Sequence, residues 1–135
     1  MISLDYVAGL FDGEGSIILR LKRDQRYHAG YQLIIKIALH QKNKLILEAF
    51  NQSLAVNGRI YYHKRDKLWY LEIYRFEDIK KFISLVGDKL VIKKPQVEKL
   101  VRILEIVDKK LHLSPEGLTL IRAMWRAPKT GVKPP

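Results

Sequence analysis

The stretch Val7–Ser16, VAGLFDGEGS, decides how this chain is organised. It leads a short apolar run through two glycines into a pair of acids. Gly9 and Gly13 lie four residues apart, so on a helix they share one face, where missing side chains let another backbone come close. Asp12 and Glu14 flank Gly13, where the sequence predicts that the helix ends. So apolar a helix is expected to be covered by other structure.

The position of Glu14 predicts a metal site by local electrostatics. A helix that begins after Ser3 and runs to about Asp12 places this acid at the negative end of the helix dipole. The last helical carbonyls there have no partner within the helix. A carboxylate is unfavourable in this place unless a cation joins it, and a hard divalent ion takes both kinds of oxygen as ligands. The local physics therefore points to Mg²⁺.

Residues 7–15, VAGLFDGEG, resemble the signature of the LAGLIDADG homing endonucleases. Ala8, Gly9, Leu10, Asp12 and Gly15 match that signature, and an acid occupies its eighth place. The motif occurs once in the chain. The resemblance implies a homodimer that cuts double-stranded DNA at a long pseudo-palindromic site, of the kind encoded in mobile introns.

The resemblance also implies how the two subunits and the metal are held. Two signature helices would pack together at the subunit interface, and Glu14 of both subunits would bind Mg²⁺ together with the carbonyl of Gly13. Asp12 would either join them as a ligand or fix the helix interface. Other divalent ions such as Mn²⁺ are expected to replace Mg²⁺, whereas Ca²⁺ is expected to support binding without cleavage. The expected interface residues are Val7, Ala8, Gly9, Phe11 and Asp12.

Further catalytic residues are carried over from the family by position. Gln41 matches the polar residue that follows the second strand. Lys94 matches the lysine before the fourth helix, with Lys93 as the alternative because the alignment can slip by one residue. These side chains would position water and stabilise charge near the metal ions. For a basic residue that some relatives carry a few positions after the glutamine, the expected place is occupied by Leu45, which leaves either Lys42 or Lys44 to take its role.

Composition and charge bound the class of protein. The chain has 135 residues, 47% hydrophobic and 29% charged, which is typical of a globular protein with one core. We expect one domain over residues 1–126 and a flexible, basic, proline-containing tail over residues 127–135. The absence of cysteine excludes disulfides and thiolate sites. No apolar run reaches the roughly 20 residues of a membrane span, and no signal peptide is evident, so we expect an intracellular protein without a membrane partner.

A formal net charge of +11 implies a polyanionic partner, usually a nucleic acid. Periodicity then predicts an α+β fold: a helix, then strand–strand–helix twice, then two further helices. The expected strands cover residues 16–23, 31–41, 59–65 and 68–74, and Ile60 and Tyr62 are expected to face the core. The later helices are expected over residues 43–56, before Gly87, from Pro95 and after Ser114.

Four antiparallel strands with helices on one side leave an open sheet face that we expect to bind DNA. Bases outnumber acids there, and a two-stranded ribbon fits the major groove. The residues expected on this face are Ser16, Ile18, Arg20, Lys22, Gln32, Ile34, Lys36, His40, Arg59, Tyr61, His63, Arg65, Tyr70 and Glu72.

Two other classes of function stay open at this point. Some LAGLIDADG proteins act as RNA maturases, with RNA as an added partner, or bind DNA as regulators without cutting it. Both acids of the signature are present here, which favours cutting. A structural basic protein is the third reading, but it would have no need of an apolar diglycine helix that ends in acids.

Overall fold

The chain folds in the predicted α+β order, as seen in a computed structural model that describes residues 1–127. The tail expected over residues 127–135 lies outside the described residues except for Ala127. The helices are α1 (Leu4–Glu14), α2 (Lys44–Leu54), α3 (Phe76–Val86), α4 (Lys94–Asp108) and α5 (Pro115–Arg126). The strands are β1 (Ser16–Arg23), β2 (Tyr31–Gln41), β3 (Arg59–His63) and β4 (Leu68–Ile73).

The strands form one antiparallel sheet in the order β1-β2-β4-β3. Along β2 and β4, His40 lies opposite Tyr70 and Leu39 opposite Leu71. Along β3 and β4, Tyr61 lies opposite Tyr70. Because successive side chains of a strand point to opposite faces, this register places Leu39 and Leu71 on one face and His40, Tyr61 and Tyr70 on the other.

The chain forms two compact units, and the first comprises Met1–Ile18 and Ile35–Lys93. Its core is a group of aromatic rings between helices: Phe11 meets Phe82 edge to face at 4.8 Å, and Phe50 lies 6.4 Å from Phe82. The inner sheet residues Leu39 and Leu71 are buried with them. Signature helix α1 is therefore built into the core of this unit.

The second unit comprises Leu19–Ile34 and the chain from Lys94. Ser114 caps α5 by accepting from the Gly117 backbone N–H at 3.0 Å. Gly117 is required here, because a Cβ on it would lie 1.7 Å from the Leu111 carbonyl oxygen. The short 3-10 helix Leu111–Leu113, which the sequence does not predict, brings that carbonyl close. The single domain expected over residues 1–126 stays a prediction.

The end of α1 differs from the sequence expectation. The helix does not stop at Gly13 but continues to Glu14, and the Gly15 N–H closes it on the Phe11 carbonyl at 2.8 Å. A Cβ at Gly15 would lie 2.1 Å from the buried Phe11 ring, whereas a Cβ at Gly13 would meet nothing within 4 Å. The helix end is therefore set by the close approach of Gly15 to Phe11 and not by Gly13.

Other boundaries are corrected in the same way. β3 ends at His63 rather than at Arg65, because a turn with Lys67 at a positive φ of 56° connects it to β4. Tyr62 is 46% exposed rather than buried, since β3 is an edge strand. The second helix ends at Leu54, followed by Ala55 in the left-handed region. At three further boundaries the difference is one residue: α2 begins at Lys44, one residue after Asn43, α4 begins at Lys94, one residue before Pro95, and β4 ends at Ile73.

Candidate catalytic and DNA-binding site

The end of α1 brings together two of the predicted catalytic residues. Glu14 is the last helical residue and is exposed. Gln41 is the last residue of β2, and its Nε2 donates a hydrogen bond to Glu14 Oε2. The helix dipole disfavours a carboxylate at this end, and the amide of Gln41 supplies partial compensation. This part of the site forms between residues 27 positions apart in the chain.

Asp12 clamps a second segment onto the same helix end. One of its carboxylate oxygens accepts the backbone N–H groups of Val91 at 2.8 Å and Ile92 at 3.0 Å. The other accepts the backbone N–H of Lys93 at 2.9 Å. The Lys93 ammonium in turn donates to the Asp12 carbonyl oxygen at 2.8 Å, which satisfies one of the carbonyls left open at a helix end.

These contacts determine the ionisation of Asp12. Burial by itself raises the pKa of the carboxyl, but the backbone N–H groups of Ile92, Lys93 and Val91, together with the Lys93 charge, outweigh it. The pKa of Asp12 is therefore lowered below its ordinary value. The side chain acts as an ionised acceptor for the 91–93 backbone.

The clamp bears on the two roles expected for Asp12, which were metal ligand and residue that fixes the helix interface. Both of its carboxylate oxygens are engaged by backbone N–H groups, so its observed role is to hold a segment in place. Glu14 and the Gly13 carbonyl are left as the oxygen donors at the helix end. Within residues 1–127 of a single copy, no cluster of three or more histidine, aspartate or glutamate side chains could hold a metal ion.

The two candidate lysines have different surroundings. Lys93 is half-buried, and its ammonium lies 5.7 Å from the centre of the Phe11 ring as well as on the Asp12 carbonyl. Lys94 is the exposed first residue of α4. The geometry therefore places Lys93 at the end of α1.

The residues expected at the dimer interface fall into two groups. Val7, Ala8 and Phe11 are buried within a single copy of the chain. Gly9 and Gly13 are exposed, and a Cβ added to either would meet nothing within 4 Å. The exposed residues of α1 are Asp5, Tyr6, Gly9, Gly13 and Glu14, so its outward face combines two glycines with a tyrosine and two acids.

On the open face of the first unit, aromatic and imidazole rings form a connected row. The Tyr70 ring stacks on His40 at 3.9 Å and on His63 at 4.9 Å, and lies 5.4 Å from Tyr61. The Arg59 guanidinium lies 4.5 Å above the Tyr61 ring. We refer to His40, Arg59, Tyr61, His63 and Tyr70 as the ring row.

Charged neighbours fix the hydrogen-bonding character of this face. The Tyr70 hydroxyl donates to Asp66, and this bond raises the pKa of Tyr70 to about 12, so the phenol stays neutral. Burial and the nearby Glu72 charge raise the pKa of Tyr61. Glu72 pairs with Lys36 at 3.4 Å, so the one acid expected on this face is matched by a base.

The other residues expected on the DNA-binding face occupy the two strands β1 and β2 and the turn after β3. Ser16, Ile18, Arg20 and Lys22 alternate along β1 and are exposed, as predicted. Gln32 and Ile34 are partly exposed along β2. Arg65 is exposed in the turn after β3 and not on the strand.

Sequence reasoning did not find the segment that Asp12 holds. The hydrogen bonds join residues 79 to 81 positions apart, and backbone N–H groups leave no trace in residue type. The available signal was the adjacent apolar pair Val91–Ile92 before two lysines, in a stretch with no helical or strand period.

The chain matches a family model described as LAGLIDADG endonuclease over residues 7–107. The homing endonuclease I-TnaI has a similar crystal structure, with a TM-score of 0.85 and 25% identity over 97% of this chain and 90% of that one. The structure of I-SmaMI bound to an uncleaved DNA target in the presence of calcium ions has a TM-score of 0.84 and 26% identity, and covers 96% of this chain.

The match to I-SmaMI covers 45% of that chain, so the present chain spans less than half of its length. An archaeal intron-encoded homing endonuclease complexed with DNA has the same fold, with a TM-score of 0.80 at 24% identity. It covers 90% of this chain and 79% of that one. No curated protein sequence matches the chain significantly. None of the helices within residues 1–127 combines the length and apolar character that crossing a membrane requires.

Proposed function

Since the chain belongs to the LAGLIDADG endonuclease family, we propose that it is a homodimeric, Mg²⁺-dependent endonuclease that cuts double-stranded DNA at a specific pseudo-palindromic site. Membership of a family of homing endonucleases supports the DNA endonuclease activity. The proposed dependence on Mg²⁺ rests chiefly on one observation: the exposed Glu14 carboxylate at the negative end of α1.

The donors at the end of α1 fit a hard divalent cation. The Phe11 carbonyl accepts from Gly15 and the Asp12 carbonyl from Lys93, so Gly13 offers the next carbonyl oxygen beside the Glu14 carboxylate. Such oxygen donors suit Mg²⁺ or Mn²⁺, and also Ca²⁺ in a bound but uncut complex. When bound, the cation would supply an activated water and neutralise charge on the scissile phosphate.

The protein side chains would orient the site and balance its charge. Gln41 donates to Glu14 and so restricts the rotation of that carboxylate. Lys93, which we choose over Lys94 because its ammonium lies at the end of α1, would compensate negative charge near the scissile phosphate. Asp12 is a positioning residue, since it holds the backbone that carries this lysine.

The partner surfaces follow from charge and from exposed backbone. The basic sheet strands and the ring row would face DNA, where Arg, Lys and His side chains can contact base edges and phosphates. The Gly9–Gly13 face of α1 would meet the same face of a second copy, since an exposed glycine in a helix interior costs about 1 kcal/mol relative to alanine and close backbone packing is a compensation.

The proposal is tested by incubating the protein with a library of randomised duplex DNA in Mg²⁺, with a parallel Ca²⁺ reaction, and sequencing the ends. We expect one near-palindromic site with short overhangs in Mg²⁺ only. Enrichment of bound duplexes without cut ends would instead favour a regulator, and structured RNA would then be tested for the maturase role.

A substitution separates cutting from binding. Glu14→Gln removes a charged metal donor but no base contact, so cleavage should fall about 100-fold or more while DNA affinity in Ca²⁺ changes little. Single-turnover cleavage and a binding titration measure the two effects. Glu98→Gln, at an exposed position of α4, is the matched control. Cleavage by Glu14→Gln at the normal rate in Mg²⁺ would refute the metal assignment.

A further inference from the structure

Two adjacent aliphatic side chains are left in solvent beside the signature helix. Val91 is 77% exposed and Ile92 is 72% exposed. Their backbone is nevertheless held, because both N–H groups donate to Asp12. An apolar pair presented on a pinned backbone is typical of a surface that another molecule covers.

Residues 89–93 follow α1 along most of its length. Lys89 Nζ pairs with Asp5 Oδ1 at 2.8 Å in the first turn of the helix, and residues 91–93 are held by Asp12 in its last turn. These two acids are seven residues apart, which is about 10 Å along a helix. The apolar pair therefore lies next to the turn that carries the exposed Gly13.

We propose that Val91 and Ile92 form, together with the Gly9–Gly13 face of α1, one continuous surface that a second copy of this chain covers. The inference rests on the homodimer of the proposed function and adds a second element to its interface. Aliphatic side chains offer nothing to phosphates, so the chemistry of the pair fits a protein surface and not the DNA backbone.

The size of the helix supports a second element. An 11-residue helix is about 16 Å long, and a stable interface buries about 800 Å² on each partner. On this face of so short a helix, Tyr6 is the large apolar side chain exposed beside the two glycines, and it supplies only part of that area. Val91 and Ile92 add side-chain area at its edge.

The consequence for the site concerns Lys93, the next residue along. A partner packed on Val91 and Ile92 would restrict the backbone that carries this lysine. Formation of the dimer would then also fix a charge at the end of α1, which a monomer would hold by its contacts with Asp12 and the Phe11 ring.

The chain has no cysteine, so a single introduced thiol reports its own exposure. Ile92→Cys and, as the matched control, Leu120→Cys on α5, where the leucine is 52% exposed, would be labelled with a maleimide over a range of protein concentrations. Sedimentation on the same samples gives the monomer and dimer fractions. Labelling at position 92 should slow about 10-fold in the dimer, because a closed interface excludes the reagent, and labelling at position 120 should not change.

A double substitution measures how much Val91 and Ile92 contribute to the affinity of dimerisation. Val91→Ser with Ile92→Ser should weaken dimerisation about 10-fold or more, since two apolar side chains lose their burial. Leu120→Ser should leave dimerisation unchanged, and thermal unfolding of the dilute monomer should be similar for both variants.

Two outcomes would overturn the inference in distinguishable ways. Equal labelling at positions 92 and 120 in a sample shown to be dimeric would place the pair outside the interface and leave the proposed function intact. A chain that stays monomeric at all concentrations, with and without DNA, would refute the homodimer itself and the inference with it.

Discussion

At the scale of single residues, Asp12 shows how a motif acid holds a distant segment of backbone. Its carboxylate satisfies three backbone N–H groups and its carbonyl receives the Lys93 ammonium. A carboxylate that accepts several N–H bonds favours its charged form. The same residue thus fixes a segment beside the helix end and positions a lysine.

The clamp predicts a pH dependence of stability. The pKa of the Asp12 carboxyl is lower in the folded protein than its ordinary value of 3.8 in the unfolded chain. The carboxylate therefore stabilises the fold at pH values above 3.8, and this stabilisation is lost as the pH falls through the folded pKa. The free energy of unfolding should therefore decrease below about pH 4. Asp12→Asn removes the contribution that the Asp12 carboxylate makes to it. Urea unfolding between pH 2 and 7 measures it.

Comparing the wild type with Asp12→Asn tests whether the charge of Asp12 holds the 91–93 segment. The difference in free energy of unfolding between the wild type and Asp12→Asn should be largest at neutral pH and shrink toward pH 2. A difference that stays constant with pH would mean that the charge of Asp12 does not hold the segment.

Gly15 has a structural role of its own, because it lies directly against the Phe11 ring. Gly15→Ala would place a methyl group 2.1 Å from a ring carbon of Phe11, a side chain with no exposed surface. Overpacking of this kind costs about 1–3 kcal/mol, so we expect a lower melting temperature. Thermal unfolding of Gly13→Ala, at which a Cβ meets nothing, is the control. Equal stability of the two variants would contradict the contact.

At this scale the sequence predicts the residues whose roles come from local position. Glu14 lies at a helix end and Gln41 at a strand end, and the structure brings them together. The role of Asp12 could not be predicted, because its partners are backbone groups far along the chain. Nor could the burial of Val7 and Phe11, since an apolar residue on a short helix can face either its own core or a partner.

At the scale of elements, alternation along strands is what made the sheet predictable. The bounds of β1 and β2 agree with the sequence pattern, because each has one apolar and one polar face. β3 and β4 are shorter than predicted, since turn geometry and the exposure of an edge strand are not encoded by a period of two. The differences therefore fall at strand ends, at the turn after β3 and at the last residue of β4.

The basic sheet face predicts a steep salt dependence of DNA binding. Each lysine or arginine that neutralises a phosphate releases counterions, so affinity falls as a power of salt concentration. Arg20→Ala, in the exposed series along β1, should reduce the slope of log K against log salt by about 1. Binding titrations in Ca²⁺ at several salt concentrations give this slope.

Arg102→Ala serves as the control for this series, since that exposed arginine belongs to α4 and not to the sheet. Its slope should match the wild type. Identical slopes for the wild type, Arg20→Ala and Arg102→Ala would show that Arg20 does not contact a phosphate.

At the scale of the whole molecule, the exposed glycines of α1 bear on assembly more than on the stability of one chain. Gly9→Leu adds a large side chain where a single copy has open space, so the monomer should remain folded. The same side chain would separate two helices packed through their glycines, and dimerisation should be lost.

Sedimentation equilibrium, with circular dichroism on the same samples, separates these effects. A folded monomer is the expected result for Gly9→Leu at concentrations where the wild type is dimeric. A stable dimer of this variant would count against contact through the glycine face.

One consequence of the ring row concerns how the proposed preference for a DNA site could be changed. Tyr70 touches His40 on β2 and both His63 and Tyr61 on β3. Replacing any one of the three removes a contact of Tyr70, which also packs against the other two, so their effects will not add. Redesign of this face would have to treat the row as one unit that is exchanged whole, and not as a series of independent positions.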